Sequence, residues 1–133
     1  MQIGPLAIAG SWLVEPSVYS DDRGSFLEWF RGDHLERAVG APFSVAQANH
    51  SISSRGVVRG VHFADVPPGQ AKYVYCPSGA VLDVIVDVRV GSPTYGRHVA
   101  VRLDDENRRA VFIAEGLGHA FCALSDAAAV TYL

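Results

Sequence analysis

Several functions are closed to this sequence by what it lacks. Only two of its 133 residues are cysteines, and Cys76 and Cys122 form no CxxC pair. A disulfide framework, a zinc ribbon and a dithiol redox site are therefore excluded. No two histidines are spaced as HxH or HxxxH, the patterns that bring imidazoles to one metal ion. Basic runs are missing as well. Eleven Lys and Arg against fourteen Asp and Glu leave a net charge of −3, which argues against sequence-independent binding to nucleic acid. The apolar opening "MQIGPLAIAGSWLV" has no positive leader, contains Pro5 and two glycines, and is too short to cross a membrane. The expected setting is a reducing cytoplasm, with no membrane partner.

Apolar residues make up 49% of the chain and charged residues 19%, the balance of a globular protein, and the length suits one domain. Short apolar runs broken by turn residues fill most of it. "SWLVEPSVY" (11–19) and "SFLEWFR" (25–31) predict two strands around the turn at Asp22-Arg23-Gly24. "GDHLERAVG" predicts the one short helix, near residues 33–39, with Asp33 as its cap and Gly40 as its stop. Further strands are expected at 43–53, 57–63, 71–76, 80–88, 98–104, 110–114, 119–124 and 128–133. This even spacing, without repeat or linker, predicts a single all-β domain over 1–133, a sandwich or barrel. The last strand runs to the end at "VTYL", so a C-terminal extension beyond Leu133 is expected.

Within "SRGVVRGVHFADVPPGQAKYVYC" (54–76), an apolar strand pattern carries Arg59, His62 and Lys72. Basic groups on a buried pleat are costly unless paired or used. On a regular strand Arg59 and His62 point to opposite faces, leaving Arg59 in solvent and His62 a hydrogen-bonded core residue. A bulge at Gly60 would instead turn both into one pocket. Downstream, "EGLGHAF" delivers His119 from a glycine-rich corner to the start of a strand, either at a barrel mouth or as a turn residue. Asp83, inside "VLDVIVDV", needs a buried partner, and His119 is the expected one. Tyr132 is flanked by apolar residues, and a strand tyrosine is more often a core residue than a catalyst.

Four ordered stretches, "DDRGSFLEWFR", "QANHSISSRGVVRGVHF", "PPGQAKYVYCPSGAVLDVIVDVRVGSPTYGR" and "EGLGHAFCALSD", resemble the nucleotide-sugar 3,5-epimerases of the cupin superfamily, the dTDP-4-dehydrorhamnose 3,5-epimerase family. The resemblance covers essentially the whole chain. It implies a cupin-like jelly roll, no metal or other cofactor, and a homodimer in which N-terminal strands are exchanged between subunits. The implied reaction is inversion of C3, C5 or both in a dTDP-4-keto-6-deoxyhexose, in deoxysugar biosynthesis. His62 would be the base that removes the proton beside the ketone, Lys72 the cation at the ketone oxygen, and Tyr132 the acid on the opposite face. Arg23, Glu28, Gln47, Asn49, Arg59 and His119 match substrate-binding positions, with Arg59 and a partner's Arg23 suited to the diphosphate.

Two further features implied by the resemblance, a carboxylate partner for His62 and an aromatic residue stacking on the base, are expected past Leu133. Ala64 and Ala48 stand where many members carry glutamine and an acidic or branched residue, a difference that bears on sugar choice. Two other readings stand beside the epimerase: a cupin-like domain that binds a nucleotide sugar or another small anion without catalysis, and a metal-dependent cupin using His62 and His119.

Overall fold

The computed structural model describes residues 1–133. Six strands form the larger sheet, in the order β1 (Gln2–Pro5), β2 (Ser11–Glu15), β10 (Ala110–Ile113), β7 (Lys72–Ser78), β12 (Ala127–Tyr132) and β5 (Asn49–Ser54). The smaller sheet runs β6 (Val58–His62), β11 (Leu117–Ala123), β8 (Ala80–Asp87), β9 (His98–Asp104). Strands β3 (Val18–Asp21) and β4 (Gly24–Leu27) pair only with each other, and α1 spans Gly32–Val39. All pairings are antiparallel. Two such sheets packed face to face make the sandwich that the strand spacing predicts and the jelly roll that the family resemblance implies. No helix is long and apolar enough to cross a membrane.

Strand β7 shows why the sheets face each other. Its side chains alternate between two apolar clusters. Val74 and Cys76 enter the core between the sheets with Val81, Ile85, Leu103, Phe121 and Val130. Tyr73 and Tyr75 point the other way, into a second cluster with Val14, Leu35 and Phe112. Trp29, Phe30 and Phe43 cover that second cluster. The Trp29 ring stacks on Tyr75 with centroids 5.3 Å apart, and the Tyr73 hydroxyl donates to the Trp29 carbonyl at 2.5 Å. Burial raises the Tyr73 phenol well above its ordinary pKa.

Four local expectations need correction. The N-cap of α1 is Arg31, with no side-chain cap bond; Asp33 sits in the first turn, where it binds Arg31 and Arg37 and complements the helix dipole. Gly40 does end the helix, at φ 77°, donating its N–H to the Glu36 carbonyl. The 11–19 run breaks at Pro16 into β2 and β3, and residues 43–48 are irregular, with β5 starting at Asn49. The opening apolar stretch contributes an unexpected edge strand, β1, paired with β2.

At the end of β8, Asp87 is fully buried. Its carboxylate accepts from the Arg89 backbone and guanidinium and from the Ser92 and Thr94 hydroxyls, at 2.6 to 3.0 Å. These donors, Arg89 foremost, hold its pKa far below the usual carboxylate range. The folded chain therefore binds this proton later than the unfolded chain does. The stabilisation is complete above the unfolded pKa of about 4 and is lost as pH falls below it. Asp87→Asn is expected to lower stability at pH 7 and to flatten its decline below pH ~4, as read from denaturant melts across that range.

The decisive irregularity lies in β6. Against β11, His62 pairs with His119 and Arg59 with Phe121. Three steps on β6 thus match two on β11, leaving one extra residue in β6. Gly60 sits within this bulge at φ +115°, and a Cβ there would lie 2.5 Å from the His119 carbonyl oxygen and 2.8 Å from Ala120 Cα. Only glycine fits such a contact at that φ. Gly60→Ala is expected to destabilise by about 2–4 kcal/mol in urea unfolding, combining backbone strain with a steric clash. An unchanged midpoint would show that the strand tolerates a side chain here.

Candidate active site

The bulge decides where the two basic residues of β6 point. Directly paired residues on neighbouring strands share a face, so His62 and Arg59 share the face of His119 and Phe121, toward the space between the sheets. On β8, Asp83 and Ile85 pair with Phe121 and His119 and complete this wall. His119 Nε2 and Asp83 Oδ2 lie 2.7 Å apart, with the residues only 6% and 1% exposed. This is the pair expected from the sequence. His62 is exposed, not a core histidine, and its imidazole makes no hydrogen bond within the chain. The Arg59 Nε donates to Ser53 Oγ at 2.9 Å, tying β6 of one sheet to β5 of the other.

The larger sheet supplies the opposite wall. Tyr132 pairs with Val74 and with Asn49, so both turn inward beside Lys72, two residues before Val74. Lys72, Tyr132, Gln47 and Asn49 line one cavity of about 410 Å³, with Gln70 and Glu115 at its side. Gln47 reaches it because the irregular segment 42–47 turns from the outer aromatic cluster around to this rim, and its amide donates to Asn49 Oδ1 at 2.7 Å. Lys72 is half-buried. Burial lowers its pKa from the ordinary lysine value, and the Asp83 carboxylate acts in the opposite direction. Two buried polar atoms lack partners: Ser51 Oγ, facing inward on β5, and Asp83 Oδ1.

Nine residues were expected at the site, and the structure sorts them into three groups. Lys72, Tyr132, Gln47 and Asn49 share the cavity. His62, Arg59 and His119 do not line it; they stand on the facing sheet, where His119 is paired with Asp83. Arg23 and Glu28 lie elsewhere. Arg23 is at the tip of the β3–β4 hairpin with its side chain 87% exposed, paired to Asp21 at 2.6 Å, and Glu28 pairs with Arg31 at 3.1 Å. No group of three His, Cys, Asp or Glu side chains converges to form a ligand set.

Sequence reasoning passed over Ser53, which holds Arg59, and gave Gln70 and Glu115 no role in the site. Glu115 and Gln70 flank motifs already singled out, "EGLGH" and "PPGQAK", so their neighbours were the available signal. Nothing local marks Ser53.

An imidazole, an ammonium and a phenol carried on two facing sheets suit proton transfer at a carbon beside a carbonyl. The family model of dTDP-4-dehydrorhamnose 3,5-epimerase matches residues 5–133. The chain is 58% identical over 133 residues to a dTDP-4-dehydrorhamnose 3-epimerase of Streptomyces niveus, covering all of this chain and 64% of that protein. It is 57% identical over 128 residues to the dTDP-4-dehydrorhamnose 3,5-epimerase of Mycolicibacterium smegmatis, covering 96% of this chain and 64% of the other. Among solved structures, ChmJ, a 3'-monoepimerase from Streptomyces bikiniensis in complex with dTDP-quinovose, superposes with a TM-score of 0.94 at 52% identity, covering 97% of this chain and 65% of that one. The chain thus spans just under two thirds of the length of these relatives. It belongs to the dTDP-4-dehydrorhamnose 3,5-epimerase family.

Proposed function

We propose that this protein is a metal-independent epimerase acting on a dTDP-4-keto-6-deoxyhexose, inverting the carbon on one or both sides of the ketone. The observation that carries the reading is the Gly60 bulge, which turns Arg59 and His62 to one face opposite the sheet that bears Lys72 and Tyr132. A C–H beside a ketone is a weak acid, so its removal needs a poised base and a stabilised enolate. His62 takes the proton, the role of general base for which imidazole is the commonest side chain. The electron pair moves onto the carbonyl oxygen, where the Lys72 ammonium meets the new charge. Away from bulk water that interaction strengthens. The Tyr132 hydroxyl then returns a proton to the opposite face of the same carbon, and solvent restores both groups.

Arg59 suits the diphosphate, since a guanidinium matches phosphate oxygens in pairs. Its Nε is already held by Ser53, leaving the terminal nitrogens for the ligand. Gln47, Asn49 and His119 complete the proposed contacts. Relatives named for one inversion and for two are nearly equal in identity, at 58% and 57%. The proposal is accordingly framed at the chemistry they share.

In deuterated water with dTDP-4-keto-6-deoxyglucose, deuterium is expected at C3 or C5. Binding without exchange at either carbon would overturn the reading. His62→Asn is expected to abolish exchange while dTDP affinity stays within about threefold, and Tyr132→Phe to slow net inversion by about a hundredfold or more while sparing the first proton removal. Mass spectrometry and NMR of the recovered sugar give both answers.

A homodimer is part of the proposal. The β3–β4 hairpin pairs with nothing else in the chain and exposes Val18, Tyr19 and Phe26, while the outer face of the smaller sheet exposes Val58, Val61 and Leu82. Apolar surface of this kind favours a second copy. An exchanged hairpin would carry Arg23 and Glu28, remote from the cavity of their own chain, to the partner's. Sedimentation of the wild type is expected to give a dimer at micromolar concentration, and Phe26→Asp to weaken it together with dTDP binding. A monomeric wild type would refute this.

A further inference from the structure

Arg59 differs from other arginines of the chain in what holds it. Arg89 and Arg102 are clamped by the carboxylates of Asp87 and Asp104, at 2.8 and 2.6 Å, which neutralise the guanidinium within the protein. Arg59 is exposed and forms no ion pair; its side chain makes one hydrogen bond, from Nε to Ser53 Oγ at 2.9 Å. Ser53 is only 3% exposed, on the inward face of β5, where it pairs with the core residue Ala128. Strands β5 and β6 are edge strands of different sheets. The bond therefore fixes a surface arginine to a buried point of the facing sheet.

A hydroxyl holds the guanidinium without cancelling its charge. Engaging Nε also removes one of the two edges through which a guanidinium grips an oxyanion, and leaves the terminal nitrogens as the other. An exposed arginine with no such anchor loses its side-chain freedom only on meeting a ligand, at a cost to affinity. Ser53 stands four residues along β5 from Asn49, which lines the cavity of Lys72 and Tyr132. That separation is about 13 Å at the rise of a strand. The anchor is thus remote from the groups assigned to proton transfer, and its influence falls on binding.

We propose that Ser53 is a positioning residue for Arg59: a neutral anchor that presents the two terminal nitrogens, fully charged and already ordered, to the diphosphate. The consequence for ligand binding rests on the reading of Arg59 as the diphosphate contact; the anchoring does not. The anchor is tested on the full-length protein by nitrogen-15 NMR of the Arg59 Nε–H, identified by its absence in Arg59→Lys. In Ser53→Ala, which removes a single atom, this proton is expected to exchange with solvent about fivefold faster or more than in the wild type. Equal rates overturn the proposal.

In ligand titrations Ser53→Ala is expected to weaken dTDP about three- to tenfold and to leave thymidine, which has no phosphate, unchanged. Weakening of both ligands alike, or of neither, overturns the proposal. Ser51→Ala is the matched control, because it deletes the neighbouring inward hydroxyl, which bonds nothing. Its dTDP affinity is expected to stay within about twofold of the wild type; a loss as large as that of Ser53→Ala would reveal a general response of the strand and overturn the anchor. In the deuterium-exchange assay the loss is expected in KM, with kcat within about twofold, the pattern of uniform binding. A fall in kcat alone counts against the proposal. Added to Arg59→Met, Ser53→Ala is expected to change dTDP affinity by less than about twofold, since it acts only through that side chain; a further loss of about fivefold overturns it. Undiminished dTDP affinity in Arg59→Met would defeat the reading of Arg59 as the diphosphate contact, a failure distinct from an unprotected Nε–H in the wild type.

Discussion

One surplus residue in a five-residue strand governs the layout of this molecule. Side chains on a strand alternate with a strict period of two, so Arg59 and His62, three apart, belong on opposite faces. Accommodating Gly60 against the His119 carbonyl without a pairing position moves His62 back to the face of Arg59. The rest of the smaller sheet is regular, with β11 and β8 paired residue for residue from Leu117 to Ala123. The irregularity is thus local, and it falls where two basic side chains meet the interior. Bulges of this kind re-aim side chains next to functional sites.

The larger sheet solves a different problem, that of presenting polar groups from a strand packed on both faces. Strand β7 is covered on one side by the aromatic cluster and on the other by the inter-sheet core. Only its first residue, Lys72, escapes into the cavity, because the core thins toward the end of the barrel. Tyr132 and Asn49 lie at the same end of neighbouring strands. The opposite end is closed by turns that use their polar groups internally, such as Asp105 accepting from Gly79 N and Ser125 from Ala80 N. One end of the barrel is closed by turns and the other holds the cavity lined by Lys72 and Tyr132, as is common where a β-barrel binds small molecules.

Most of the strand order was legible because alternation and turn residues are local signals. The runs at 98–104 and 110–114 are found almost residue for residue, and the Asp83–His119 pair follows from an acid in an apolar strand needing a buried partner. Gly60 could be flagged as a possible bulge, but its presence depends on the register with β11, sixty residues downstream, which no local pattern encodes. The edge strand β1 was missed for a similar reason. Its four residues alternate weakly and become a strand only through pairing with β2. Ser53 was invisible because a serine on a strand acquires meaning only when a guanidinium reaches it from another sheet.

The segment from Trp29 to Gln47 has one end in each of two environments. Its first part is held to the outside of the larger sheet by stacked rings, while its last part forms a rim of the cavity that contains Lys72 and Tyr132. Residues 43–48 belong to no helix or strand; Phe43 is held by edge-on contacts with Phe30 and Phe112, and Gln47 by its hydrogen bond to Asn49. Loosening the rings on the remote side therefore frees the cavity rim as part of the same opening event. Amide hydrogens of α1 and of the rim would exchange with solvent as one cooperative unit, joined by Phe43, which packs among the rings on one side and lines the cavity on the other.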